Sequence, residues 1–133
     1  MKIILDANFL LIPSQFKVDI FTGLMNLLNQ RFDPVLLSTT YQELLRLAEQ
    51  ASPKLRKNAS LALRLVKKCR LIHVKRGLTE TPDDVIVRLA KEWKCPVATN
   101  DVILRKRLRK ENVPTIFLRQ RAYLEAEGLS SAL

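Results

Sequence analysis

A chain of 133 residues is long enough for one domain with a real core and too short for two, so residues 1–133 are read as a single domain. Its 23 Lys and Arg against 13 Asp and Glu give a formal charge of +10, which favours a polyanionic partner, nucleic acid before a membrane surface. The residue order excludes three further classes. No run approaches the ~20 apolar residues of a membrane span. Cys69 and Cys95 have neither metal-ligand nor redox spacing. The glycines, 23, 77 and 128, cannot form a phosphate loop.

The start, Lys2-Ile-Ile-Leu5, is a short apolar run stopped by Asp6, which reads as a buried strand and not as a leader sequence. With two reduced, buried thiols, this points to a cytoplasmic protein. Phe9–Ile12 continues apolar until Pro13-Ser14-Gln15 breaks the run. From Asp19 to Gln30, Ile20, Leu24, Leu27 and Leu28 recur at helical spacing. Val35–Leu37 is a second strand. Ser38 or Thr39 is expected to cap the helix that follows, on which Tyr41, Leu44, Leu45 and Ala48 share a face. Ser52-Pro53 opens a basic helix to about Lys68. Arg70–Val74 makes a third strand and Lys75–Thr81 a loop. Thr81-Pro82 opens a helix to about Trp93, and Pro96–Thr99 is a fourth strand. Asp101–Lys110 is a strongly basic helix, Pro114–Leu118 a fifth strand, and Arg119–Gly128 is expected to be a terminal helix. Alternating strands and helices predict an α/β fold, a parallel sheet covered on both faces.

Acids stand where strands end. Asp6 follows the first strand, Glu43 lies in the helix after the second, Asp83 and Asp84 open the helix after the third, and Asp101 follows the fourth. In a parallel sheet these ends gather along one edge, where sites form. Carboxylates brought together repel, and the usual resolution is a hard divalent cation with oxygen ligands, Mg²⁺ or Mn²⁺. Each acid also has a plainer reading: a turn cap at Asp6, a solvated group near a helix start at Glu43, a first-turn dipole complement at Asp83 or Asp84, a helix cap at Asp101. Because Asp83 and Asp84 point about 100° apart, only one can face the others; Asp84 is the choice and Asp83 the alternate. Asn8 and Thr99 are expected to steady the ligands or their waters from behind. Arg105, Lys106, Arg107, Arg109 and Lys110 start at the acidic edge and would contact the phosphates of a polyanion laid over the acids, with Lys54, Arg56, Lys57, Lys75 and Arg76 extending the track. His73 is expected to be structural.

Ile3-Ile4-Leu5-Asp6-Ala7-Asn8, Glu43, Asp83-Asp84-Val85-Ile86 and Thr99-Asn100-Asp101 together resemble the PIN-domain ribonuclease family over most of the chain. The segment Pro13–Phe21 and the doubled Asp83-Asp84 are similar to the branch that processes small-subunit ribosomal RNA, more than to VapC-type toxins. The resemblance implies a three-layer α/β/α sandwich around a mainly parallel sheet of about five strands. It implies a metal-dependent endoribonuclease in which Asp6, Asp84, Asp101 and Glu43 hold one or two Mg²⁺ or Mn²⁺ ions and leave 5′-phosphate and 3′-hydroxyl ends. The expected partners are ribosomal RNA precursor, ribosome-assembly proteins or an antitoxin, and a second copy of the chain. The alternatives are a toxin ribonuclease of a toxin–antitoxin pair and a non-catalytic RNA-binding assembly module.

Overall fold

The computed structural model describes residues 1–129. In chain order the elements are β1 (Lys2–Leu5), α1 (Ala7–Phe16), α2 (Ile20–Leu28), β2 (Asp33–Leu37), α3 (Ser38–Gln50), α4 (Pro53–Leu65), β3 (Arg70–Ile72), α5 (Pro82–Trp93), β4 (Val97–Ala98), α6 (Val102–Lys110), β5 (Thr115–Arg119) and β6 (Tyr123–Glu127). The sheet runs β3-β2-β1-β4-β5-β6. Every pairing is parallel except β5 with β6.

The strands are apolar without alternation because both faces are covered. Successive residues enter opposite cores: Ile3, Leu5, Leu36 and Ala98 pack with α1 to α4, while Ile4, Val35, Leu37 and Val97 pack with α5 and α6. This is the expected three-layer sandwich, with six strands in place of about five. Among the described residues no helix is long and apolar enough to cross a membrane. Cys95 is buried and Cys69 half-buried, and burial lifts both thiols to about 11.

Two expectations are corrected. Pro13 does not end the apolar run, because α1 begins at Ala7 and continues through the proline to Phe16. With Ala7 and Phe9–Ile12 all buried, the helix has no polar face whose period could announce it. The missing N–H of Pro13 strands only the Phe9 carbonyl, and Lys17, in a left-handed conformation, closes the helix by donating its N–H to the Pro13 carbonyl. The stretch Arg119–Gly128 is a hairpin arm and not a helix. Its Arg, Ala, Leu and Glu favour helix only weakly, while pairing with β5 from Thr115↔Glu127 to Arg119↔Tyr123 satisfies the backbone along that edge. β6 also turns Leu124 onto Gly23 of α2, where a side chain at position 23 would collide with it.

That packing is testable by urea denaturation. Leu124 is 8% exposed and Tyr123 48%. Leu124→Ala should cost about 2–3 kcal/mol and Tyr123→Ala no more than about 0.5 kcal/mol; equal losses would argue against the hairpin register.

Candidate active site at the carboxyl edge of the sheet

The strand order reverses direction between β1 and β4, since β2 and β3 lie to one side of β1 and β4 and β5 to the other. A crevice opens at such a point beyond the carboxyl ends of the strands. Asp6 leaves β1 there and Thr99 leaves β4, and the Thr99 hydroxyl donates to Asp6 Oδ2 at 2.7 Å. Asp6 Oδ1 accepts from the Ala7 N–H at 2.8 Å, so the same carboxylate caps α1. Thr99 Oγ1 in turn accepts from the Asp101 N–H at 3.1 Å. Asn8 Oδ1 accepts from the Asn100 N–H at 2.9 Å, and Asn100 Oδ1 accepts from the Leu118 N–H at 2.8 Å. Side chains thus tie the exits of β1, β4 and β5 to one another. Asn8 braces the β4 exit and not Asp6 itself.

Asp101 caps α6, its Oδ1 accepting from Ile103 and Leu104 at 2.8 and 3.1 Å, and leaves Oδ2 outside that cap. Glu43 sits on the second turn of α3, half-buried. Ser38 does not cap α3; its hydroxyl accepts from the Val74 N–H at 3.0 Å and fastens the segment after β3 instead. The hydroxyls of Thr39 and Thr40, at the start of α3, are buried with no partner among the described residues. Thr39 is one turn ahead of Glu43 on the same side of the helix. Neither threonine was singled out from the sequence as a site residue; Thr39 reads there only as a candidate helix cap. His73 is exposed just past β3.

Of the two neighbouring aspartates, Asp83 is the one whose charge bears on Asp6 and Glu43. With Thr81 as N-cap, Asp84 is the third residue of α5 and closes a capping box with it, each side chain meeting the other's N–H at about 3 Å. Arg107 then holds Asp84 at 2.8 Å. These contacts, the Thr81 N–H first, keep the Asp84 carboxyl below its usual range. Asp83 is half-buried, and burial followed by the neighbouring Asp101 charge pushes it up. The spacing Thr81-x-x-Asp84 was the signal in the sequence that could have settled this.

Electrostatics join the four acids. Burial raises Asp6, 4% exposed, to about 7, with Asp83 and Glu43 adding to the rise and the Thr99 and Ala7 hydrogen bonds opposing it. Glu43 is raised by burial and by Asp83 and Asp101. None of Asp6, Glu43, Asp83 and Asp101 has a cation within ion-pair distance among the described residues. In a chain of charge +10 that is a pointed omission.

A hard cation suits this donor set, all oxygen and all anionic. Among the described residues no group of three or more His, Cys, Asp or Glu is arranged to hold a metal ion by itself.

The basic helix is largely occupied. Arg105 lies over the Phe117 ring at 3.5 Å, Arg109 holds Glu127 of β6 at 3.1 Å, and Arg107 holds Asp84. Only Lys106 and Lys110 of the five expected phosphate contacts remain exposed without an ion-pair partner among the described residues.

Known proteins fit this geometry. The family model described as a PIN like domain matches residues 3–121. Ribonuclease VapC4 of Methanocaldococcus jannaschii is 32% identical, with 96% of this chain matched to 98% of that protein. The rRNA-processing protein FCF1 of Saccharomyces cerevisiae is also 32% identical, with 92% of this chain matched to 62% of that protein. Among solved structures, that of the PIN domain endonuclease Utp24 superposes with a TM-score of 0.80 at 30% identity, covering 96% of this chain and 92% of that one.

The raised Asp6 makes stability depend on pH. From about pH 4 to about pH 7 the unfolded chain has released this proton while the folded chain keeps it, so stability falls as pH rises and the loss is complete above pH 7. In metal-free protein Asp6→Asn should therefore be nearly neutral at pH 4.5 and stabilising at pH 8. The gain is bounded by roughly 4 kcal/mol, at about 1.4 kcal/mol per pKa unit. Urea titrations at the two pH values measure it; a substitution that destabilises at pH 8 would mean Asp6 is not strained by burial and its neighbours.

Proposed function

The chain belongs to the PIN-like domain family, and on that premise we propose that it is a metal-dependent endoribonuclease that cuts ribosomal RNA precursor. The observation that carries this reading is the group of four acids, without an ion-pair partner among the described residues of a strongly basic chain, at the carboxyl edge of the sheet where the strand order reverses between β1 and β4. Residues 1–133 form one domain in this reading.

Asp6, Glu43, Asp83 and Asp101 would hold Mg²⁺ or Mn²⁺ jointly with water and the scissile phosphate. The bound metal would supply Lewis-acid activation of water and of the phosphate oxygens. Each residue has a task apart from it. Thr99 fixes the Asp6 carboxylate and sets the height of Asp101 above the strand ends. Asn8 holds the β4 exit in register. The buried and unpartnered Thr39 hydroxyl, a turn from Glu43, would orient a water. Asp84 is not in the acid group; it fixes the start of α5 and so the aim of Asp83. Lys106 and Lys110 would approach the RNA backbone.

A second reading, a toxin-type ribonuclease checked by an antitoxin, is carried by the likeness to VapC4, 32% identical with 96% of this chain matched to 98% of that protein. Growth arrest on induced expression, relieved by a co-expressed antitoxin peptide, would select it.

The nuclease reading is tested by Mn²⁺-dependent cleavage of structured and single-stranded RNA. Asp83→Asn and Asp6→Asn should lower the rate by at least ~10²-fold while retaining fold. Asp84→Asn should lower the melting temperature yet leave most of the rate. Loss of cleavage in Asp84→Asn with Asp83→Asn fully active would reverse the assignment.

A further inference from the structure

The hairpin that follows β5 is built against its own backbone preferences. Ala122 donates its N–H to the Arg119 carbonyl at 3.0 Å, closing a tight turn whose central residues, Gln120 and Arg121, have φ of 52° and 57°. A turn left-handed at both centres is normally Asn-Gly, because a side chain at these angles crowds the backbone. Neither residue here is glycine, and both are exposed. A strained, exposed position held against cost points to function.

The place of Arg121 supplies the reason. β5 is parallel to β4 and β4 to β1, so the turn after Arg119 projects from the same edge of the sheet as Asp6 and Asp101. Arg121 lines a groove of about 540 Å³ with Ser14 and Phe16 from the end of α1 and Lys54, Leu55 and Asn58 from α4. Ser14 and Asn58 are hydrogen-bonded across it and tie its two helical walls together. Neither Arg121 nor Lys54 has an ion-pair partner among the described residues. Positive charge is dense from α4 onward: from Gln50 to Thr79 the chain carries nine Lys and Arg and no Asp or Glu, and one of the nine, Arg70, is paired with Asp33.

We infer that this groove binds a single-stranded segment of the RNA beside the cut, with Arg121 and Lys54 on successive phosphates and a base against Phe16. The inference rests on the nuclease reading and gives it a direction: the strand continues from the acids toward α4, while on α6, whose arginines are occupied, only Lys106 and Lys110 are left to approach the RNA backbone. Arginine suits phosphate through its planar fork of donors, and an aromatic wall accepts any base. The groove would therefore fix position more than sequence.

The test is binding of a fluorescent single-stranded RNA oligonucleotide in EDTA across a salt series, with wild type, Arg121→Gly, Arg121→Lys, Lys54→Ala and Lys94→Gly. Lys94 is the control, since it is also a left-handed cation (φ 53°) but stands before β4, at the opposite edge of the sheet. Arg121→Gly should keep the melting temperature equal or higher, because it relieves the turn, yet weaken binding ~10-fold. It should also lower the slope of log K against log salt by roughly 0.7, the share of one phosphate contact on a single strand. Lys54→Ala should do the same to binding, Arg121→Lys should recover the slope, and Lys94→Gly should change neither. Wild-type affinity and slope in Arg121→Gly would overturn the groove. Mn²⁺-dependent cleavage by wild type separates the two failures. Cleavage with an indifferent Arg121 removes the groove alone. Groove-dependent binding without cleavage removes the nuclease reading alone, and wild type that neither binds nor cuts removes both.

Discussion

The hydrogen bond from the Thr99 hydroxyl to the buried Asp6 carboxylate is the contact on which the site's geometry depends. It crosses the point where the sheet changes direction and joins the exits of the two strands that flank the crevice. The same oxygen accepts the Asp101 N–H, so one hydroxyl sets the spacing of two acids. A carboxylate this deeply buried is costly unless something answers it. Two hydrogen bonds answer part of that cost, and burial still holds the proton affinity well above normal. The remainder is an unmet demand for positive charge at that crevice.

The distribution of charge sharpens the demand. Asp33, Glu80, Asp84, Glu111, Glu125 and Glu127 are paired with Arg or Lys; among the described residues the four acids of the site have no such partner, nor do the exposed Asp19, Glu49 and Glu92. Exposed ion pairs contribute little to stability, but they decide which cations are left for a ligand. On α6 the arginines fasten the helix to α5 and to the terminal hairpin. On α4 and the hairpin tip the cations remain open. A basic composition alone could not distinguish these uses, because pairing depends on which acids the fold places nearby.

Much of the scaffold was legible because it follows from local rules. Apolar runs bounded by turns located β1, β2, β4 and β5, and helical spacing with Pro or Asp at the start located α2, α5 and α6. The placement of Asp6, Glu43, the Asp83-Asp84 pair and Asp101 at strand ends was legible too, since a parallel sheet sends every strand end to one edge, though Asp84 was the expected member of the pair. Elsewhere local signals misled. α1 is buried along an apolar run with no alternating polar face and contains a proline, so period and breaker both pointed away from helix. β6 has helix-forming residues, and its sequence holds no trace of the open β5 edge that captures it.

Sequence by itself determined the fold class, the acids at the strand ends and the surplus of positive charge, because hydrophobic period, turn chemistry and composition are properties of short windows. Only the tertiary structure decided which aspartate of a pair turns inward, which arginines are already engaged, and what the last strand pairs with. Those outcomes depend on groups distant in the chain: Arg107 against Asp84, Glu127 against Arg109, Thr99 against Asp6. Single propensities differ by less than about 1 kcal/mol per residue. A buried hydrogen bond left unmade costs about 1–3 kcal/mol, so the long-range partner wins wherever the two disagree.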